Sequence, residues 1–64
     1  MNYHFTGDFE AEVQRGDEIE QKVFLTGDVI EGTPLNDNEV ALSLQLPDGA
    51  SIFGIPREVI SLRA

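Results

Sequence analysis

Few side chains of this 64-residue chain could support chemistry. The single histidine, His4, could act as a general base. No serine, cysteine or second histidine is placed by the sequence to complete a nucleophilic site with it. We therefore interpret His4 as a solvated strand residue opposite Asp28, and we expect a protein that is not an enzyme.

The oxygen-rich segment 36–39, Asn-Asp-Asn-Glu, is the one candidate for calcium. It lacks the Asp-x-Asp-x-Asp-Gly order and the distant glutamate of a calcium-binding loop, so we interpret it as a turn. With no cysteine and one histidine, thiolate zinc sites and His-rich metal sites are excluded. No glycine-rich phosphate loop is present. We expect neither a metal nor a cofactor.

The tripeptide Arg15-Gly16-Asp17 matches the motif of integrin ligands. It also reads as an ordinary turn, a glycine between polar neighbours. No secretion signal and no cysteine accompany it, so we favour the turn.

Carboxylates gather on one face of the first predicted hairpin. Alternate residues of a strand lie ~6.6–7 Å apart, close to the spacing of phosphates along a nucleic acid strand. Such a row could occupy a basic nucleic-acid-binding protein. A solvated face is the simpler interpretation, and Lys22 in the middle weakens the mimicry. The residues of this acidic face are Asp8, Glu10, Glu12, Glu18 and Glu20.

The net charge of −8 bounds the class of partner. Such a chain is repelled by nucleic acid phosphates and by anionic membranes. No run of ~18 apolar residues would span a bilayer, and the first residues do not resemble a signal peptide. We expect a cytoplasmic protein whose partner is another protein or a second copy; if the acidic face imitates a nucleic acid, the partner is a basic protein.

Four apolar side chains fall outside the two main apolar faces: Phe24, Ile30, Phe53 and Ile55. Clustered, they would form a patch that a small monomer rarely exposes. Barrel curvature could instead cover them. Two hypotheses follow: a non-enzymatic protein-interaction module or small accessory subunit using this patch, and, as the alternative, an acidic mimic of nucleic acid.

Strict alternation of apolar and polar residues predicts two long strands, 3–13 and 18–30, around a turn centred on Gly16. That register places Val13 opposite Ile19 on a continuous apolar face. It also places two glutamates, Glu12 and Glu20, opposite each other, and their repulsion destabilises this register by a few tenths of a kcal/mol. Both strands contain apolar-Thr-Gly-Asp-apolar, at 5–9 and 25–29, which we interpret as two glycine bends.

The clearest hairpin spans residues 40–55. Its turn is Pro47-Asp48-Gly49, a three-residue loop that ends in a glycine bulge. In this register Leu44 faces Ile52 and Leu42 faces Gly54.

The predicted strands, with a short helical turn beginning at Pro56, indicate an all-β, single-domain chain over residues 1–64. The segment Gly54-Ile55-Pro56-Arg57-Glu58-Val59-Ile60 and the tight hairpin before it resemble SH3-like domains, which implies a five-stranded small barrel. The chain has no tryptophan, and its one tyrosine is Tyr3, so the resemblance does not extend to proline-rich peptide binding. The alternative is an open sheet completed by dimerisation. The predicted strands span residues 3–13, 18–30, 39–46, 50–56 and 59–63.

Overall fold

Two antiparallel sheets make up the fold. The computed structural model describes residues 1–36 and 39–63. One sheet has three strands in the order β4-β1-β8, and the other has five in the order β3-β2-β7-β6-β5. The eight strands are β1 Asn2–Phe5, β2 Phe9–Arg15, β3 Glu18–Phe24, β4 Val29–Glu31, β5 Thr33–Pro34, β6 Ala41–Gln45, β7 Ser51–Pro56 and β8 Ile60–Leu62.

The all-β prediction is confirmed, but the predicted closed barrel of five strands is not. The strand pairing of the described residues leaves two separate sheets. The two long predicted strands are each broken in two, and this raises the number of strands. A 3-10 turn at Arg57–Val59 follows Pro56 and leads into β8, as predicted.

Both strand breaks fall on the repeated Thr-Gly-Asp segments, as expected of glycine bends. The bends lie side by side: the amide of Gly27 donates to the carbonyl of Phe5 at 2.7 Å. The Oδ1 atom of Asp8 accepts the amide of Thr26 at 2.8 Å and its hydroxyl at 3.0 Å. These bonds join the breaks, so the first hairpin passes from one sheet into the other.

The pairing of β2 with β3 differs from the prediction by one residue. Arg15 pairs with Glu18 across a two-residue loop, and Glu12 pairs with Gln21 rather than with Glu20. Gly16, the first loop residue, has φ 63°, the positive value that a type II′ turn requires there. A one-residue shift reverses the faces of a strand. Phe24 therefore points into the core, while Ile19 and Val23 point away from it.

Phe24 is 5% exposed. Its ring stacks on that of Phe5, with centroids 4.5 Å apart and planes inclined by 10°. The core lies between the two sheets and joins residues from both. Its buried apolar members are Tyr3, Phe5, Ala11, Val13, Phe24, Leu42, Leu44, Ala50, Ile52, Ile55 and Ile60.

The second hairpin follows the prediction near its turn and departs from it beyond. Gly49 has φ 92°, and Leu44 pairs with Ile52 as expected. The register then shifts, so that Leu42 pairs with Ile55 instead of Gly54. Gly54 occupies this bulge with φ 73°. Because the bulge adds one residue to β7, the side chain of Ile55 points inward and becomes part of the core.

Candidate interaction surface

The four residues predicted as a partner-binding patch do not lie on one surface. Phe24 and Ile55 are buried in the core, and Ile30 is half-buried against it. Phe53 alone is well exposed, at 58%. The register shift in the first hairpin and the bulge in the second account for the two buried residues.

The predicted acidic row is also divided. Glu10 and Glu12 pair with Val23 and Gln21 on the outer face of the sheet, the face away from the core. Because neighbouring strand residues alternate, Glu18 and Glu20 lie on the opposite face.

The fifth acidic residue, Asp8, lies in the bend after β1. Donation by the Thr26 amide, then by the Thr26 hydroxyl, holds the pKa of Asp8 below its ordinary value. Asp8 therefore joins the two bends and is not an extension of either strand face.

Three large apolar side chains lie instead on the outer face of the five-stranded sheet: Ile19, Val23 and Phe53. Their exposed fractions are 61%, 57% and 58%. Ile19 and Val23 both belong to β3. Phe53 lies in β7, two strands away, and shares a shallow hollow with Ile19, Glu12 and Gln14. We call these three residues the outer apolar surface.

The strand that carries most of this surface is also the edge of its sheet. β3 pairs with β2 and with no other described strand. All its residues except Phe24 are exposed. An edge strand offers backbone donors and acceptors to another strand, so the outer apolar surface adjoins a second feature suited to association.

The inner face of the β2–β3 hairpin borders a cleft of about 430 Å³, floored in part by Phe24. Arg15 lines this cleft, and its guanidinium forms salt bridges with Asp48 at 2.7 Å and with Glu20 at 3.2 Å. The contact with Asp48 raises the pKa of Arg15. Lys22 lies 5.3 Å from the centre of the Phe24 ring. Charges of both signs thus offset each other at this cleft.

The remaining motifs also have structural positions. His4 is half-buried and pairs with Val29 and Ser61, so its predicted pairing with Asp28 is wrong. Gly16 and Asp17 form the hairpin loop, as the turn interpretation expects.

The candidate calcium segment 36–39 lies partly outside the described residues, which omit Asp37 and Asn38. Among the residues described, no group of three or more His, Asp or Glu side chains is placed to hold a metal ion. The described chain also contains no helix long and apolar enough to cross a membrane.

Alternation places Ile19 and Val23 on the same face as Val13, so the sequence predicts that both are buried, and only Phe53 of this surface is among the predicted partner-binding residues. One signal in the sequence pointed the other way, the like-charged pair of Glu12 and Glu20. The observed register removes that pair, and Gln21 donates to Glu12 at 3.4 Å.

Comparison of the chain with models of protein families, with curated proteins and with solved structures gives no match.

Proposed function

We propose that this chain is a non-enzymatic protein-interaction module that binds a partner through the outer apolar surface, Ile19, Val23 and Phe53. One observation carries the proposal: three large apolar side chains on one sheet face are each more than half exposed. Fully burying an exposed side chain of this kind contributes about 1.5–3 kcal/mol, and each of these three retains somewhat more than half of its exposure to lose. A partner that covered all three would gain substantial affinity.

The surroundings of this surface suit a protein partner. Carboxylates of Glu10 and Glu12 lie on the same face, between the strands that carry the apolar residues. The apolar residues therefore flank these two carboxylates, and a partner that covers all three apolar side chains must also contact Glu10 and Glu12. The carboxylates favour a partner with basic side chains near its apolar contacts.

Capture from a lysate of the source cell, with the immobilised chain as bait, tests the proposal. We expect a captured protein to be lost with Phe53→Ser and with Ile19→Ser. Leu62→Ser is the matched control, since Leu62 is also 58% exposed but lies on β8 in the other sheet. Capture should persist at high salt, because apolar burial is not screened.

Two outcomes would count against this function. One is equal capture by the wild type and both outer-surface variants. The other is a loss of capture in the Leu62→Ser control alone. Circular dichroism of each variant separates a lost contact from a lost fold.

The acidic mimic has weaker support. The net charge of −8 favours it, but the pairing of β2 with β3 places Glu10 and Glu12 on one face and Glu18 and Glu20 on the other. It predicts binding that falls steeply with salt and that Glu10→Gln with Glu12→Gln reduces.

We also infer an SH3-like order of elements. A tight hairpin, a 3-10 turn after Pro56 and a last strand paired with the first support it. This likeness concerns the fold alone and adds nothing to the argument for binding.

A further inference from the structure

We propose that the free edge of β3 pairs with the same edge of a second copy of this chain, in an antiparallel dimer whose two-fold axis passes through Gln21. The inference rests on the proposed function, because it assigns one partner to the β2–β3 hairpin. Such a dimer would join two five-stranded sheets edge to edge.

Half of the backbone amides and carbonyls of β3 point away from β2, as pairing at its open edge requires. Arg15 and Glu18 close a two-residue loop, and the closing pair of such a loop exchanges both backbone hydrogen bonds. Hydrogen-bonded pairs then alternate along the hairpin, so the even-numbered residues of β3 are bonded to β2. Ile19, Gln21 and Val23 direct their amides and carbonyls toward the open edge. An axis at Gln21 lets these residues form about six hydrogen bonds between the chains.

The side chains match in the same register. Gln21 is the middle residue of β3, Glu18–Phe24, so the whole strand is paired. On the outer face Ile19 lies opposite Val23 of the second copy. On the inner face Glu20 lies opposite Lys22 of the second copy. Opposite charges and apolar pairs directly across two strands are both stabilising.

Neighbouring registers are worse. Moving the axis by one residue places Glu20 opposite its own copy, or Lys22 opposite its own copy, and like charges directly opposite are destabilising. β3 contains no proline and its pairing with β2 has no bulge, so two common protections of an edge strand are missing. Its charged residues are the remaining protection; the axis at Gln21 pairs Glu20 with Lys22 and leaves Glu18 opposite Phe24 of the second copy.

The interface is one strand wide, so it belongs with the small interfaces below ~1,200 Å². The net charge of −8 on each chain opposes association. Both features predict a weak dimer, which must be sought at high protein concentration.

Charge reversal at the paired positions tests the register by sedimentation equilibrium, from about 10 µM to about 1 mM protein at moderate salt. Glu20→Lys leaves two lysines opposite each other, and Lys22→Glu leaves two glutamates. Each should weaken the dimer about tenfold or more. A mixture of the two single variants should associate as a heterodimer, and the double reversal should dimerise like the wild type.

Glu58→Lys is the matched control, because it makes the same change in net charge at an exposed residue of the 3-10 turn, outside the β2–β3 hairpin. It lowers the repulsion between chains, as Glu20→Lys does, and should leave the dimer intact or tighter. In NMR spectra recorded against concentration, the amides of Ile19, Gln21 and Val23 should shift most.

A monomer at about 1 mM overturns the proposal, since even a small specific interface should associate there. Wild-type dimerisation of both single variants overturns it as well, and so does a mixture that stays monomeric. If these results came with capture of another protein that still depended on Phe53, edge pairing would be refuted and the proposed function would stand.

Discussion

The same substitution at two phenylalanines tests which face of the five-stranded sheet lies on the core. Phe24→Leu and Phe53→Leu remove equal volumes, one at a residue 5% exposed and the other at a residue 58% exposed. Phe24 also loses its stack on Phe5. We expect the two variants to differ clearly in their free energy of unfolding.

The magnitude follows from burial. Truncating a buried phenylalanine to alanine costs about 3–5 kcal/mol, and a stacked aromatic pair contributes about 0.5–1.5 kcal/mol beyond its buried area. Because leucine retains most of the apolar bulk, Phe24→Leu should cost about 1.5–2 kcal/mol. Phe53→Leu should cost about 0.5 kcal/mol or less, as at other exposed positions.

Equilibrium unfolding in urea, followed by far-UV circular dichroism, measures both values. A domain of this length is stable by about 3–10 kcal/mol, so either variant should stay folded. Fluorescence of Tyr3, buried in β1, gives a second probe of the same transition. An equal loss in the two variants, or a larger loss for Phe53→Leu, would refute the assignment of β3 faces.

Two further predictions concern the bulge and the bends. Gly54→Ala should lower the free energy of unfolding by about 1–2 kcal/mol. The cost comes from the positive φ alone, because the space around Gly54 is open. Gly54→Asn should cost less in the same urea titration, since asparagine tolerates a positive φ better than alanine, and equal losses would contradict this. Because the hydrogen bonds from Thr26 lower the pKa of Asp8 in the folded state, the ionised carboxylate stabilises the fold at pH values above the ordinary aspartate pKa. This contribution disappears as the pH falls through the lower folded-state pKa. The stability advantage over Asp8→Asn should therefore shrink on acidification below about pH 4, and an advantage that grew would contradict it.

The second hairpin was predictable because its turn is specified locally. Pro47-Asp48-Gly49 supplies the required backbone angles, and Asp48 accepts the amide of Ala50 at 3.0 Å. The shift at Gly54 was not predictable from alternation, since a bulge inserts one residue without a regular pattern. Gly54 indicates that the strand could be irregular here, but it does not show which face of the sheet the residues after it occupy.

The first hairpin shows the limit of alternation more clearly. Loops of two and three residues around Gly16 both give an alternating partner strand, and they differ in which face of β3 is buried. The choice depends on tertiary packing, above all on the stacking of Phe24 against Phe5. The outer apolar surface depends on that choice, so the sequence alone did not reveal it.

The pairing of β2 with β3 is the central claim, because the core, the outer apolar surface and the proposed dimer all depend on it. Cross-strand Hα–Hα contacts in the NMR spectrum of the isotope-labelled chain measure it directly. The structure predicts contacts of Glu12 with Gln21 and of Gln14 with Ile19. Contacts joining Val13 to Ile19 instead would return Ile19 and Val23 to the core and contradict the account.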